Sequence, residues 1–197
     1  YETPFISGKD SMFNEFQGYD QDGNPVEIAV PPTLLISSVG VMPNFRRAVS
    51  IDLKQPGDAI YLLGETDDEL GGSEYYAMYN ETGLHVPKVD AARNRTRYQR
   101  LSTAIENGLI SSAISVTRGG LAVALAKTAL AGRYGVQIDL DAVKGQWLRY
   151  DHALFAESQG RIVVSVRPDH QQAFEACFEP ADCACIGQVT EADDFRI

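Results

Sequence analysis

From Asp58 onward, short apolar runs alternate with helix-like segments, and glycines mark most of the joints. This alternation is the strongest constraint on the fold. "AIYLLGE" (59–65), "LISSAISV" (109–116), "GVQIDL" (135–140), "RIVVSV" (161–166) and "ACIGQV" (184–189) have the length and β-rich composition of strands. Between them, Ser73-Glu74 opens an aromatic segment with a helix-capping residue. Residues 89–107 have helical composition and end at Gly108. Residues 121–132, "LAVALAKTALAG", form the strongest helix signal and stop at Gly132. Pro168 starts a further helix through Phe178. Strands interleaved with helices predict an α/β (α+β type) domain, with helices packed on a mixed sheet.

Residues 1–56 read differently. "FQGYDQDGNPVEI" is rich in turn residues, and Thr33 to Met42 is an apolar run expected to form a buried strand. The Pro56-Gly57-Asp58 turn is the expected joint. The division is therefore 1–56, a β-rich partial domain, and 57–197, an α/β layer domain.

With 44% hydrophobic residues the chain can build a sizeable core. Its formal charge of −10 repels nucleic acid and anionic membranes, so neither is an expected partner. No apolar run is long enough to span a bilayer. Cys177, Cys183 and Cys185 are odd in number and read as reduced thiols of a cytoplasmic protein. The matches to a glycosylation pattern at Asn80 and Asn94 are treated as chance.

Three glycine turns precede helix-like segments: "SGKDS" (7–11), "LGGSEY" (70–75) and "TRGGL" (117–121). Glycine lets the backbone approach an anion, and helix N-terminal N–H groups bind it. Neither a Walker loop nor a dinucleotide fingerprint occurs. Each turn taken singly is also compatible with a tight turn or a helix cap that holds no ligand. In the first turn, Lys9 suits a phosphate, Asp10 suits Mg²⁺ and Ser11 suits a substrate phosphate. Arg93, Arg97 and Arg100 share one helix face, and the expectation for them is a solvated face. His152 has no evident partner in sequence and is assigned a structural role. Trp147 and the Tyr75-Tyr76 pair are assigned to packing.

The order of motifs carries a resemblance. "ISGKDSMFNEF", "VPPTLLISSVGVM", "PGDAIYLLGE", "DELGGSEYY", "GGLAVALAKTALAG" and "LFAESQGRIVVSV" occur in sequence. Nearly the whole chain resembles the synthetase subunit family of phosphoribosylformylglycinamidine synthase. More distantly it is similar to the aminoimidazole ribonucleotide synthetase superfamily. The resemblance implies ATP-dependent amidation of formylglycinamide ribonucleotide with ammonia from a separate glutaminase subunit or domain. It implies two tandem units, each with a barrel-forming A part and an α/β B part. Residues 1–56 then correspond to the end of the second A part and 57–197 to the second B part. The first unit, with the family's catalytic histidine, has no counterpart here. The chain is expected to be an inactive portion of a longer cytoplasmic enzyme, with no catalytic residue of its own.

By the same resemblance, nucleotide contacts fall on Gly8, Lys9, Gly71, Gly72, Thr117, Gly119 and Gly120. Substrate contact falls on Ser11. The metal falls on Asp10, because an ammonium at Lys9 cannot ligate Mg²⁺. The third turn departs from the family pattern. Ser115 stands where relatives carry a metal-binding aspartate, and Arg118 where they carry a carboxylate. A metal–nucleotide site at that turn is expected to be weakened or lost. Two other readings stay open at this point: a different ATP-dependent small-molecule-activating enzyme of the superfamily, and a non-catalytic scaffold domain.

Overall fold

The computed structural model describes residues 1–9, 15–29 and 34–197. The chain forms two compact units, Tyr1–Pro43 and Asn44–Ile197.

The first unit contains one antiparallel hairpin, β1 (Glu15–Tyr19) and β2 (Pro25–Ala29), with Glu15 opposite Ala29 and Tyr19 opposite Pro25. Its turn is made by local polar chemistry. The Asp20 carboxylate accepts from the Asp22 and Asn24 N–H groups, and Gly23 takes a positive φ of 83°. The strand expected over Thr33 to Met42 does not form across its described part. Residues 34–42 have no regular structure, and Leu35 and Val41 are about nine-tenths exposed. Strand propensity needs a neighbouring strand to satisfy the backbone and cover the side chains. In this unit β1 and β2 pair only with each other among the described residues.

The second unit is a six-stranded sheet with helices on both faces. Its strands are β3 (Ala59–Leu63), β4 (Ser112–Ser115), β5 (Gly135–Ile138), β6 (Ile162–Val166), β7 (Cys183–Thr190) and β8 (Phe195–Arg196), in the order β4-β6-β3-β7-β5-β8. All neighbours run antiparallel except β5 and β8, which are parallel. The mixed α/β architecture expected from the alternation is the one observed.

Side-chain alternation along β3 explains why it is apolar throughout. Ile60 and Leu62 enter one core with Leu121, Leu125 and Val163. Ala59, Tyr61 and Leu63 enter the other with Val164, Ala104 and Phe174. A strand buried on both faces has no solvent side on which to place polar residues. The helix α3 (Gly120–Gly132) supplies Leu121, Ala124 and Leu125 to the first core. The helices α2 (Ala91–Glu106) and α5 (Gln171–Glu175) supply Ala104 and Phe174 to the second. Two short helices, α1 (Glu74–Ala77) and α4 (Tyr150–Phe155), lie in the connections.

Residues 44–56 hydrogen-bond within the second unit. Leu53 N–H donates to the Thr128 carbonyl at 3.3 Å, the Thr128 hydroxyl donates to the Ile51 carbonyl, and Ala113 N–H donates to the Ser50 carbonyl at 3.1 Å. The Pro56-Gly57 turn lies inside this unit, with Gly57 N–H donating to the Val189 carbonyl at 2.9 Å. By packing, the division falls between residues 43 and 44.

All three cysteines are free thiols, and their environments differ. Burial is the main cause that pushes the Cys183 thiol up to about 12, whereas Cys185 is exposed. The thiolate is the reactive form, so iodoacetamide at pH 8 is expected to label Cys183 at least about 100-fold more slowly than an accessible thiol of ordinary pKa. Peptide mass spectrometry over a time course checks this; equal labelling of Cys183 and Cys185 would contradict the burial assigned to β7.

Candidate functional site

The second and third glycine turns meet at the N-termini of α1 and α3. Ser73 caps α1, its hydroxyl accepting from Tyr76 N–H at 3.2 Å. Gly119 (φ 82°) and Gly120 (φ 67°) form the left-handed turn into α3. The junction is made by Glu157, which follows α4. Its Oε1 accepts from the Glu74 N–H at 3.0 Å and from the Gly119 N–H at 2.9 Å. A second link lies outside it, where the Arg118 guanidinium pairs with the Glu74 carboxylate, Nε to Oε1 at 2.7 Å.

The backbone donors of these turns are already committed. Gly71 N–H donates to the His85 carbonyl at 2.7 Å, Gly72 to Thr82 at 2.6 Å and Ser73 to Leu70 at 3.0 Å. Gly120 N–H donates to the Thr117 carbonyl at 3.0 Å. The glycines serve close packing here. A Cβ on Gly71 would lie 2.7 Å from the His85 carbonyl carbon, and one on Gly120 would lie 2.6 Å from the Leu154 carbonyl oxygen.

Beside this junction, a cleft of about 910 Å³ opens between the loop after β3, the loop before α2 and the start of α2. Its wall carries a charge network that contradicts the expectation of a solvated arginine face. Arg97 is 3% exposed. Its guanidinium donates to the Asn94 side chain at 2.7 Å, the Gly160 carbonyl at 3.1 Å and Asp182 at 2.8 Å. Arg93 joins Asp182 at 2.9 Å to Glu65 at 2.6 Å. Arg93 and Arg100 are both partly exposed, and Arg100 pairs with the exposed Glu179. Arg97 is buried because α2 crosses the residues before β6 and β7, which supply a carbonyl and a carboxylate. Burial raises the Asp182 carboxyl, but Arg97 and Arg93 outweigh it and hold the group below its ordinary value.

Arg161 is buried beneath the same region at 1% exposure. Its guanidinium donates to the carbonyls of Ala156 at 2.5 Å and Ser158 at 2.9 Å, and to the Thr66 hydroxyl at 2.8 Å. Burial pulls its pKa down to about 10 against the nearby Glu69, Asp67 and Glu157 carboxylates. At the cleft edge, His152 Nδ1 lies 2.6 Å from Asp68, which also faces His85 at 3.4 Å. The partner that His152 lacked in sequence is thus 84 positions away. Tyr75 stacks on Phe155 with ring centroids 4.8 Å apart and donates to Asp151 at 2.8 Å, so it packs as expected. Trp147 donates to the Val143 carbonyl and packs on the first core.

Of the first turn, Gly8 and Lys9 are exposed and without regular structure, while Asp10 and Ser11 lie outside the described residues. Thr117 is exposed at the mouth of the third turn, as is Ser115. The described residues hold no group of three or more histidine, cysteine, aspartate or glutamate side chains arranged for a metal.

Residues 55–197 match the AIR synthase related protein C-terminal domain. The chain belongs to this family. The AIR synthase related domain thus takes in all six strands of the large sheet. The chain is 39% identical to phosphoribosylformylglycinamidine synthase subunit PurL of Synechococcus elongatus over 203 residues, 98% of this chain and 25% of that protein. It therefore spans about a quarter of the length of such relatives. Among solved structures it is similar to Thermotoga maritima PurL complexed with FGAR, with a TM-score of 0.64 and 21% identity over 75% of this chain and 26% of that one. The same protein complexed with ATP gives 0.55 and 18% over 75% and 24%. These likenesses establish the fold of the AIR synthase related domain. No described helix is long and apolar enough to cross a membrane.

Proposed function

We propose that this chain is the C-terminal portion of a PurL-type synthetase acting in purine biosynthesis. The reaction is the ATP-dependent amidation of formylglycinamide ribonucleotide, giving formylglycinamidine ribonucleotide, ADP and phosphate. The observation that carries this reading is 39% identity to a PurL subunit across 98% of the chain. The nucleotide and substrate are those named for the Thermotoga maritima complexes. In this reading residues 1–56 end the second A part and residues 57–197 form the second B part. An N-terminal synthetase unit supplies the catalytic residues, and a glutaminase subunit or domain supplies ammonia. The enzyme works in the cytoplasm.

Within the chain, the reading places the ligand-facing wall at the first turn. Gly8 and Lys9 face nucleotide, Ser11 faces substrate, and Asp10 holds Mg²⁺, a hard cation suited to carboxylate and phosphate oxygens. When bound, the cation would offset phosphate charge. The resemblance also puts nucleotide contacts on Gly71, Gly72, Thr117, Gly119 and Gly120, but the four glycine amides already have protein acceptors, so this reading does not rest on those turns.

The test uses the full-length protein that contains this sequence. With ammonia, ATP and formylglycinamide ribonucleotide it is expected to release ADP and phosphate in step with amidine formation. The isolated chain is expected to show no turnover. A full-length protein that binds ATP but leaves formylglycinamide ribonucleotide unchanged would overturn the reading.

A further inference from the structure

Glu157 sits where a bound anion would be expected. Backbone N–H groups from two glycine turns converge on one oxygen, which is the usual way a helix N-terminus holds a phosphate. Here the oxygen belongs to the protein. Its presentation is fixed from behind. The carbonyls on either side of Glu157, those of Ala156 and Ser158, are both held by the buried Arg161 guanidinium. The Glu157 N–H itself donates to the Glu69 carbonyl at 3.1 Å. On the outer side, Arg118 pairs with Glu74 and takes up the cation nearest the turn.

We propose that Glu157 is an internal anion that holds the position a phosphate would otherwise take, so that the paired glycine turns form a closed clasp rather than a nucleotide site. The donor set does not fit a metal–nucleotide. A phosphate would have to displace a carboxylate that three neighbouring backbone contacts hold in place. It would also meet the Glu157 carboxylate, and Arg118 is already paired with Glu74. A carboxylate and a phosphate sharing the same two amide donors repel each other. Ser115, a neutral hydroxyl, would have to do the work of a metal-binding carboxylate. Arg161 acts through Glu157 and is a positioning residue. The clasp ties α1, α3 and the segment after α4 into one body, and this consequence holds whichever reaction the longer protein performs.

Amide NMR on the whole chain tests the proposal. In the wild type, the Glu74 and Gly119 amides are expected to be protected from hydrogen exchange and to stay unshifted when Mg-ATP or inorganic pyrophosphate is added. In Glu157→Ala, both amides are expected to exchange at least about tenfold faster, because their acceptor is gone. Glu157→Gln keeps an acceptor oxygen without the charge and is expected to fall between the two. If Glu157→Ala does not fold, the Gln variant carries the comparison. The proposal is overturned if Mg-ATP shifts both amides in the wild type, or if their exchange is the same in all folded variants. Failure of the amidation assay would leave these amide results standing, and failure here would leave the amidation reading intact.

Discussion

Replacing Asp182 by asparagine is expected to destabilise the second unit by about 3 kcal/mol, the lower end of the cost of breaking a buried ion pair from one side. Asp182 receives Arg97 at 2.8 Å and Arg93 at 2.9 Å. Arg93 retains Glu65, and Arg97 retains Asn94 and the Gly160 carbonyl, but neither of the Arg97 contacts that remain is charged. A guanidinium only 3% exposed is then left without a counter-ion. The pH dependence follows from the depressed carboxyl pKa of Asp182. Its contribution is complete above the unfolded value near about 3.9 and is lost as pH falls through the lower folded value. The difference between wild type and Asp182→Asn should therefore shrink in acid. Urea denaturation at neutral pH and near pH 3 measures both effects. Arg100→Ala, which breaks an exposed pair, is the contrast and should cost less than about 1 kcal/mol. Equal losses in the two variants would refute the distinction between buried and solvated arginines on α2.

Gly120→Ala is the second large effect, expected at about 2–4 kcal/mol from left-handed backbone strain added to overpacking. The residue has φ 67°, and a Cβ would meet the Leu154 and Ala156 carbonyl oxygens at 2.6 and 2.7 Å. Both are backbone atoms at the end of α4, so relief requires moving that segment and Glu157 with it. Gly72→Ala offers the comparison within the same pair of turns. Gly72 also has a positive φ, of 73°, but a Cβ there meets nothing within 4 Å. Only backbone strain remains, worth about 1–2 kcal/mol. Thermal unfolding of the two variants reads the difference. A Gly120→Ala variant as stable as Gly72→Ala would mean that α3 does not pack on α4 as described.

The two glycine pairs look equivalent in sequence, and their roles separate only in three dimensions. Gly120 and Gly71 are required by close approach, and Gly72 by its turn alone. The Arg93, Arg97 and Arg100 series shows the same limit. Helical spacing places them on one face, but which of them is buried depends on Gly160 and Asp182, which approach from other elements.

Local apolar pattern and caps by themselves marked β3 to β7, α1, α2 and α3, but not α4 or β8. The helix expected from Pro168 through Phe178 is helical as α5 only over Gln171–Glu175. Short elements in connections and at a sheet edge are held by their neighbours rather than by a pattern of their own. The motif order also pointed to the family that the match over residues 55–197 establishes. The tertiary structure decided what each polar residue does. Glu157 reaches Glu74 across 83 positions and Gly119 across 38, and Asp182 reaches Arg97 across 85. No spacing rule along the chain encodes such pairs. The apolar run from 34 to 42 marks the same boundary from the other side: its composition favours a strand, but a strand exists only where a neighbour completes its hydrogen bonds.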